Sequence, residues 1–229
     1  DQHQIRNLAA SPAHEATLVR MRRVLREWLL KTRDAGFLAE PQMWERLRAG
    51  GTPLKIAADA KQYPLARLLD AAELVGGAKA VPEQMKLLRD PDDGLRYWAA
   101  VGLHAAGRDA ASARDRLRQA LTDASAVVRI EAAAALAELG ETGDSLPVLE
   151  RALRAPEPEV VLHAARALEL MGDRARPVLP AIREVLAQVR PNEKTGGDLF
   201  MFIGFSLESA MAQLTTSQPE RAGPPQDKP

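Results

Sequence analysis

Three segments of this chain repeat one another. Residues 88–107, 121–140 and 153–172 align without gaps: each opens on a leucine, carries an alanine pair and a leucine further on, and closes on a glycine. The opening leucines (Leu88, Leu121, Leu153) are 33 and then 32 residues apart, and so are the closing glycines (Gly107, Gly140, Gly172). A fixed period of that size implies stacked units, none of which can bury its apolar face alone. Within each unit the spacing Ala99/Ala100/Leu103, Ala132/Ala133/Leu136 and Ala164/Ala165/Leu168 marks one face of a helix, with small residues that let helices approach closely. A shorter helix is expected before each, over 83–88, 113–121 and 147–153, and the closing glycine sits where a left-handed C-cap belongs. Gly76-Gly77 end a divergent earlier unit, and residues 177–189 begin a fourth, completed by an unusually apolar helix over 199–214.

Asp90 and Arg96 stand six apart, and Asp123 and Arg129 repeat that pair; the third copy has Ala155 and Val161 instead. An aspartate in the turn and an arginine early in the second helix resemble the short variety of HEAT repeats. Neither the ankyrin Thr-Pro-Leu-His string nor the spaced aromatics of tetratricopeptide repeats recurs. The resemblance implies an all-α solenoid, a right-handed superhelix of helix pairs over residues 52–214, whose second helices line a concave binding side. The pairs Asp90/Arg96 and Asp123/Arg129 are then structural, tying adjacent units together. Trp98, Glu131 and His163 occupy one helical position in successive units and, with Val101, Ala134 and Arg166, form a candidate partner face.

Charge excludes several functions. Lysine plus arginine equal aspartate plus glutamate at 31 each, so no global basic field holds a nucleic acid. The absence of cysteine removes disulfides, thiolate metal sites and cysteine nucleophiles. No apolar run reaches the roughly 18–20 residues that a membrane helix needs. The chain opens on Asp1 rather than Met, as expected of a piece of a longer or processed protein.

Upstream of the repeats, Ser11-Pro12 opens a long helix whose Leu18, Met21, Leu25, Trp28 and Leu29 are expected to form a buried stripe. Arg20, Arg22, Arg23, Arg26, Lys31 and Arg33 cover the rest, which would suit a partner or a membrane surface. Residues 1–48 resemble the closing segment of bacterial sulfatases. Asp1, Asn7, Leu8 and Ala9 fit that family's Asp-Pro-x-Glu-x-x-Asn-Leu-Ala strand, with Gln2 and Gln4 departing from it. Gly36-Phe37-Leu38-Ala39-Glu40 fits its Gly-Phe-Leu-Pro-Glu turn except at Ala39, and Tyr63-Pro64-Leu65 resembles the helix start of the repeats that follow this segment in some sulfatases. The resemblance implies that residues 1–51 close a sulfatase-like domain with an edge strand and a helix. It further implies a secreted or periplasmic setting, and a calcium and a formylglycine confined to a catalytic domain outside this chain.

Within the chain no cofactor, metal or catalytic residue is expected. The four histidines do not recur by unit as a metal shell would require, and His14-Glu15 lies outside the repeats. Ser217-Gln-Pro-Glu-Arg221 matches the formylglycine motif only partially, in a segment (215–229) expected to be a disordered tail. The expected work is interaction: docking onto a sulfatase catalytic domain or another protein. Alternatives are a self-standing repeat module for protein or sulfated glycan, and, with less support, a HEAT-like lyase or hydroxylase.

Overall fold

A computed structural model of the chain describes residues 7–192 and 197–216. Among them no strand occurs, and the α-helices run in the order α1 (Glu15–Thr32), α2 (Glu40–Arg48), α3 (Pro53–Ala58), α4 (Leu65–Glu73), α5 (Val81–Leu87), α6 (Asp93–Ala106), α7 (Arg114–Ala120), α8 (Ala126–Glu138), α9 (Thr142–Leu153), α10 (Pro158–Met171), α11 (Leu179–Val189) and α12 (Asp198–Thr216). Short 3₁₀ turns join α6 to α7 and α10 to α11. The architecture is an all-α helical-repeat solenoid.

It has two layers. The second helices α4, α6, α8, α10 and α12 pack in that order, each on the next, while α5, α7, α9 and α11 lie behind the members they precede. The alanine pairs allow the approach: Ala132, Ala133, Ala164 and Ala165 are wholly buried. Gly107, Gly140 and Gly172 close their helices at φ of 54°, 88° and 56°. With ψ at −124° and −133°, Gly107 and Gly172 occupy backbone that a Cβ would forbid. Leu95, Leu103, Leu117, Leu136, Leu149 and Leu168, each 1% exposed or less, fill the space between layers. Pro147, expected at a helix start, instead lies inside α9, which begins earlier, at Thr142.

The N-terminal region differs from expectation in three ways. Residues 7–10 form a turn rather than a strand; residues 1–6 of the expected edge strand lie outside the described residues. The α1 stripe is not buried: Met21, Leu25 and Trp28 are each more than half exposed, because only Leu29 of that helix reaches the solenoid core. Nor does the core stop at the expected boundary after residue 51. Leu38 is buried with Ile56, Tyr63, Leu68 and Leu95, and Phe37, Met43 and Leu47 pack against the same cluster. The Tyr63 hydroxyl locks this junction, donating to Asp34 O (2.5 Å) and accepting from Phe37 N–H (3.2 Å). At the other end, α12 continues through Thr216, two residues into the expected tail; 217–229, with the Ser217 motif, lie outside the described residues.

Candidate interaction surface

The three residues at equivalent helical positions diverge in role. Trp98 on α6 is half-buried: its indole N–H donates to Phe37 O (2.8 Å), and its ring meets Phe37 and, edge-on, Tyr97. Glu131 on α8 lies between two imidazoles. His163 Nε2 on α10 is 2.9 Å from one carboxylate oxygen and His104 Nδ1 on α6 is 3.2 Å from the other. An ionised carboxylate can only accept, so both imidazoles present an N–H to it. Burial alone would raise the Glu131 carboxyl, but the two hydrogen bonds and their charge outweigh it and hold it down at about 2. Tyr97 stands edge-on to His163, its hydroxyl pushed up by burial and by Glu131. These four side chains stitch α6, α8 and α10 together. Among the described residues, no three His, Cys, Asp or Glu side chains are placed to hold a metal ion.

Part of the layer expected to be open is covered by the chain itself. Helix α2 crosses α8 and α10 near the starts of the second helices. Gln42 is buried and donates to Asp93 (2.8 Å), the first residue of α6, while its carbonyl oxygen accepts from Ala39 N–H (3.3 Å). Arg46 pairs with Asp93 at 2.6 Å, and Arg48 with the buried Glu159 of α10 at 2.6 Å. Buried charges of this kind need partners. The fit extends to Gly94, where an added Cβ would come within 2.8 Å of Leu68 and 3.1 Å of Leu38. Nothing in the local pattern of residues 40–48 points to this role. The available signal was Gly94 itself, a glycine where the next unit has Val127.

Towards the α12 end the layer leaves open a groove of about 410 Å³ bounded by Glu40 and Pro41 of α2, Leu162 and Arg166 of α10, and Phe202 and Phe205 of α12. The two phenylalanines form an edge-to-face pair, centroids 6.5 Å apart, and are 48% and 58% exposed. Arg166 is exposed but already bound to Glu169 (2.7 Å). Of the expected partner face, Arg166 and His163 border this groove, Glu131 is held between His104 and His163, and Trp98 is covered from the Phe37 side. Val101 is half-buried, and Ala134 is buried in the core.

The Asp/Arg pairs adopt a different register from the one expected. Arg96 does not grip the carboxylate of Asp90, six residues back. It binds both oxygens of Asp123 in the next unit (2.7 and 2.9 Å), and takes only the Asp90 and Pro91 carbonyls. Six residues along the chain bring the guanidinium to the turn backbone, whereas the carboxylate points back a unit: Asp90 accepts from Arg67 at 2.6 Å. Arg129 likewise holds the Asp123 and Ala124 carbonyls, but Ala155 stands where the next carboxylate would be.

Comparison with known proteins addresses the repeats directly. Residues 114–192, from α7 to just beyond α11, match the family model of HEAT repeats. Over that stretch the chain is similar to HEAT repeats. Curated proteins give no match. Among solved structures, a crystal structure of an engineered protein is similar at 19% identity, covering 69% of this chain and 92% of its own, with a TM-score of 0.39, too low to carry an argument. No helix of the described residues is long and apolar enough to cross a membrane.

Proposed function

We propose that this chain is a non-catalytic helical-repeat scaffold that docks a partner protein in the groove between α2, α10 and α12. The observation that carries the reading is the exposed Phe202–Phe205 pair. It lies on the end helix of the stack, where a solenoid ordinarily turns a polar side to water. Exposed aromatics in a concavity are the usual anchors of protein interfaces. A sulfated glycan fits less well, because the groove offers one arginine, already paired with Glu169, beside the Glu40 carboxylate.

We further propose that the chain belongs to a sulfatase-like protein. What supports it is the resemblance of residues 1–48; a sulfatase catalytic domain is then one partner for the groove. The test is a photo-crosslinking residue placed at Phe205 and, as a control, at exposed Leu54, with a sulfatase catalytic domain and other partner proteins supplied in turn. Adducts formed at Phe205, absent at Leu54 and lost on Phe202→Ala support the groove. Equal adducts at both positions contradict it.

A further inference from the structure

Helix α1 has two sides of different character, and only one is used by the solenoid. On the used side Leu29 packs into the first core cluster, Arg26 pairs with Asp70 and Glu73 of α4 (2.5 and 2.8 Å), and Arg33, just past the helix, donates to the Ala57 and Ala58 carbonyls. None of the eighteen residues of α1 is buried. Met21, Val24, Leu25 and Trp28 are 62%, 52%, 55% and 54% exposed. At the helical rotation per residue these four fall within an arc of about 100°, turned away from Arg26.

Charge says what such a stripe meets. Residues 15–33 hold six basic side chains and two acidic ones, a net +4, which leaves 25 basic against 29 acidic elsewhere in a neutral chain. Arg20 and Lys31 border one edge of the stripe; at the other edge Leu25 and Arg22 reach the cleft that α1 forms with Leu69 and Glu73 of α4, and none of the three cations makes an ion pair among the described residues. A second copy docked by a two-fold axis on this face would set these cations against their own copies, which is repulsive. An apolar stripe with a tryptophan, edged by unpaired cations, suits a plane that is anionic outside and apolar just beneath.

We propose that α1 lies flat on an anionic lipid surface, with Met21, Val24, Leu25 and Trp28 among the outermost acyl segments and Arg20, Arg22 and Lys31 at the headgroups. The solenoid then rides on the solvent side. This inference is independent of the groove reading, since it uses no residue of α10 or α12.

The experiment is co-sedimentation of the whole chain with phosphatidylcholine vesicles with and without about 30% phosphatidylserine. Binding is expected to the anionic vesicles alone, to weaken with added salt, and to blue-shift the Trp28 emission, read as the difference from Trp28→Phe. Met21→Gln/Leu25→Gln and Arg20→Gln/Lys31→Gln should each weaken it by about tenfold or more without moving the thermal transition, because all four side chains are exposed. Phe202→Ala should leave it unchanged. Absence of binding overturns the proposal, as does equal binding by the variants. So does a dimer in light scattering that Leu25→Gln dissolves, or capture of the same stripe by a sulfatase catalytic domain in place of vesicles.

Discussion

Helices α8 and α1 make an instructive contrast. By sequence α1 is the better amphipathic helix, with an apolar stripe on one side and six cations around and just beyond it, whereas α8 is apolar nearly all round. Yet α8 buries nine of its thirteen residues and α1 none of eighteen. The difference lies in neighbours: α8 is flanked by α6 and α10 within its layer and backed by α7 and α9, while α1 touches α4 along one edge. In a stacked array burial comes from position in the stack, and an amphipathic pattern specifies a face without specifying what covers it.

The contrast is sharpest at single side chains. Leu136→Ala, at 0% exposure in the middle of the stack, should cost about 2–5 kcal/mol in denaturant unfolding. Leu25→Ala on α1 should change it by about 0.5 kcal/mol or less. Comparable losses at the two sites would mean that α1 is packed against something that its exposure does not show.

A second difference concerns charge buried between units. Glu131 titrates below its usual 4.5, at about 2, so the stability it contributes is fully present above that usual range and is lost as pH falls from 4.5 towards 2. The size is on the order of 3 kcal/mol, from the shift alone. Glu131→Gln should flatten that acid limb. An acid limb identical in the Glu131 variant and the wild type would mean that the two imidazoles do not hold the carboxyl down.

How much of this was legible beforehand follows from the same contrast. The units, their glycine stops and the inward Leu103, Leu136 and Leu168 depend on local periodicity, and periodicity is written in the sequence. The groove was half legible: the shared position of Trp98, Glu131 and His163 was visible, and so was the excess of phenylalanines in α12. That α2 would lie across that layer, through Gln42, Arg46 and Arg48, was not, since those contacts join residues 47 to 111 positions apart. The Asp/Arg register misled for a related reason. Two residues six apart looked like a pair, but the carboxylate that matched Arg96 was 27 residues on, in the next unit.

That register yields a smaller effect than either buried site. The junction between the second and third units has Arg129 but lacks the carboxylate that Asp123 supplies one junction earlier. Ala155→Asp should restore the bridge and raise stability by about 0.5–1.5 kcal/mol, whereas Asp123→Ala should lower it by a similar or larger amount. No gain from Ala155→Asp would mean that the turns before α8 and α10 are not equivalent.

The most direct test of the central claim, that stability here comes from position in the stack, is amide hydrogen exchange on the whole chain in solution. Residues 126–138 of α8 should exchange only through global unfolding, while residues 15–28 of α1 should exchange orders of magnitude faster, by local opening. Protection of α1 equal to that of α8 in the isolated chain would contradict the account.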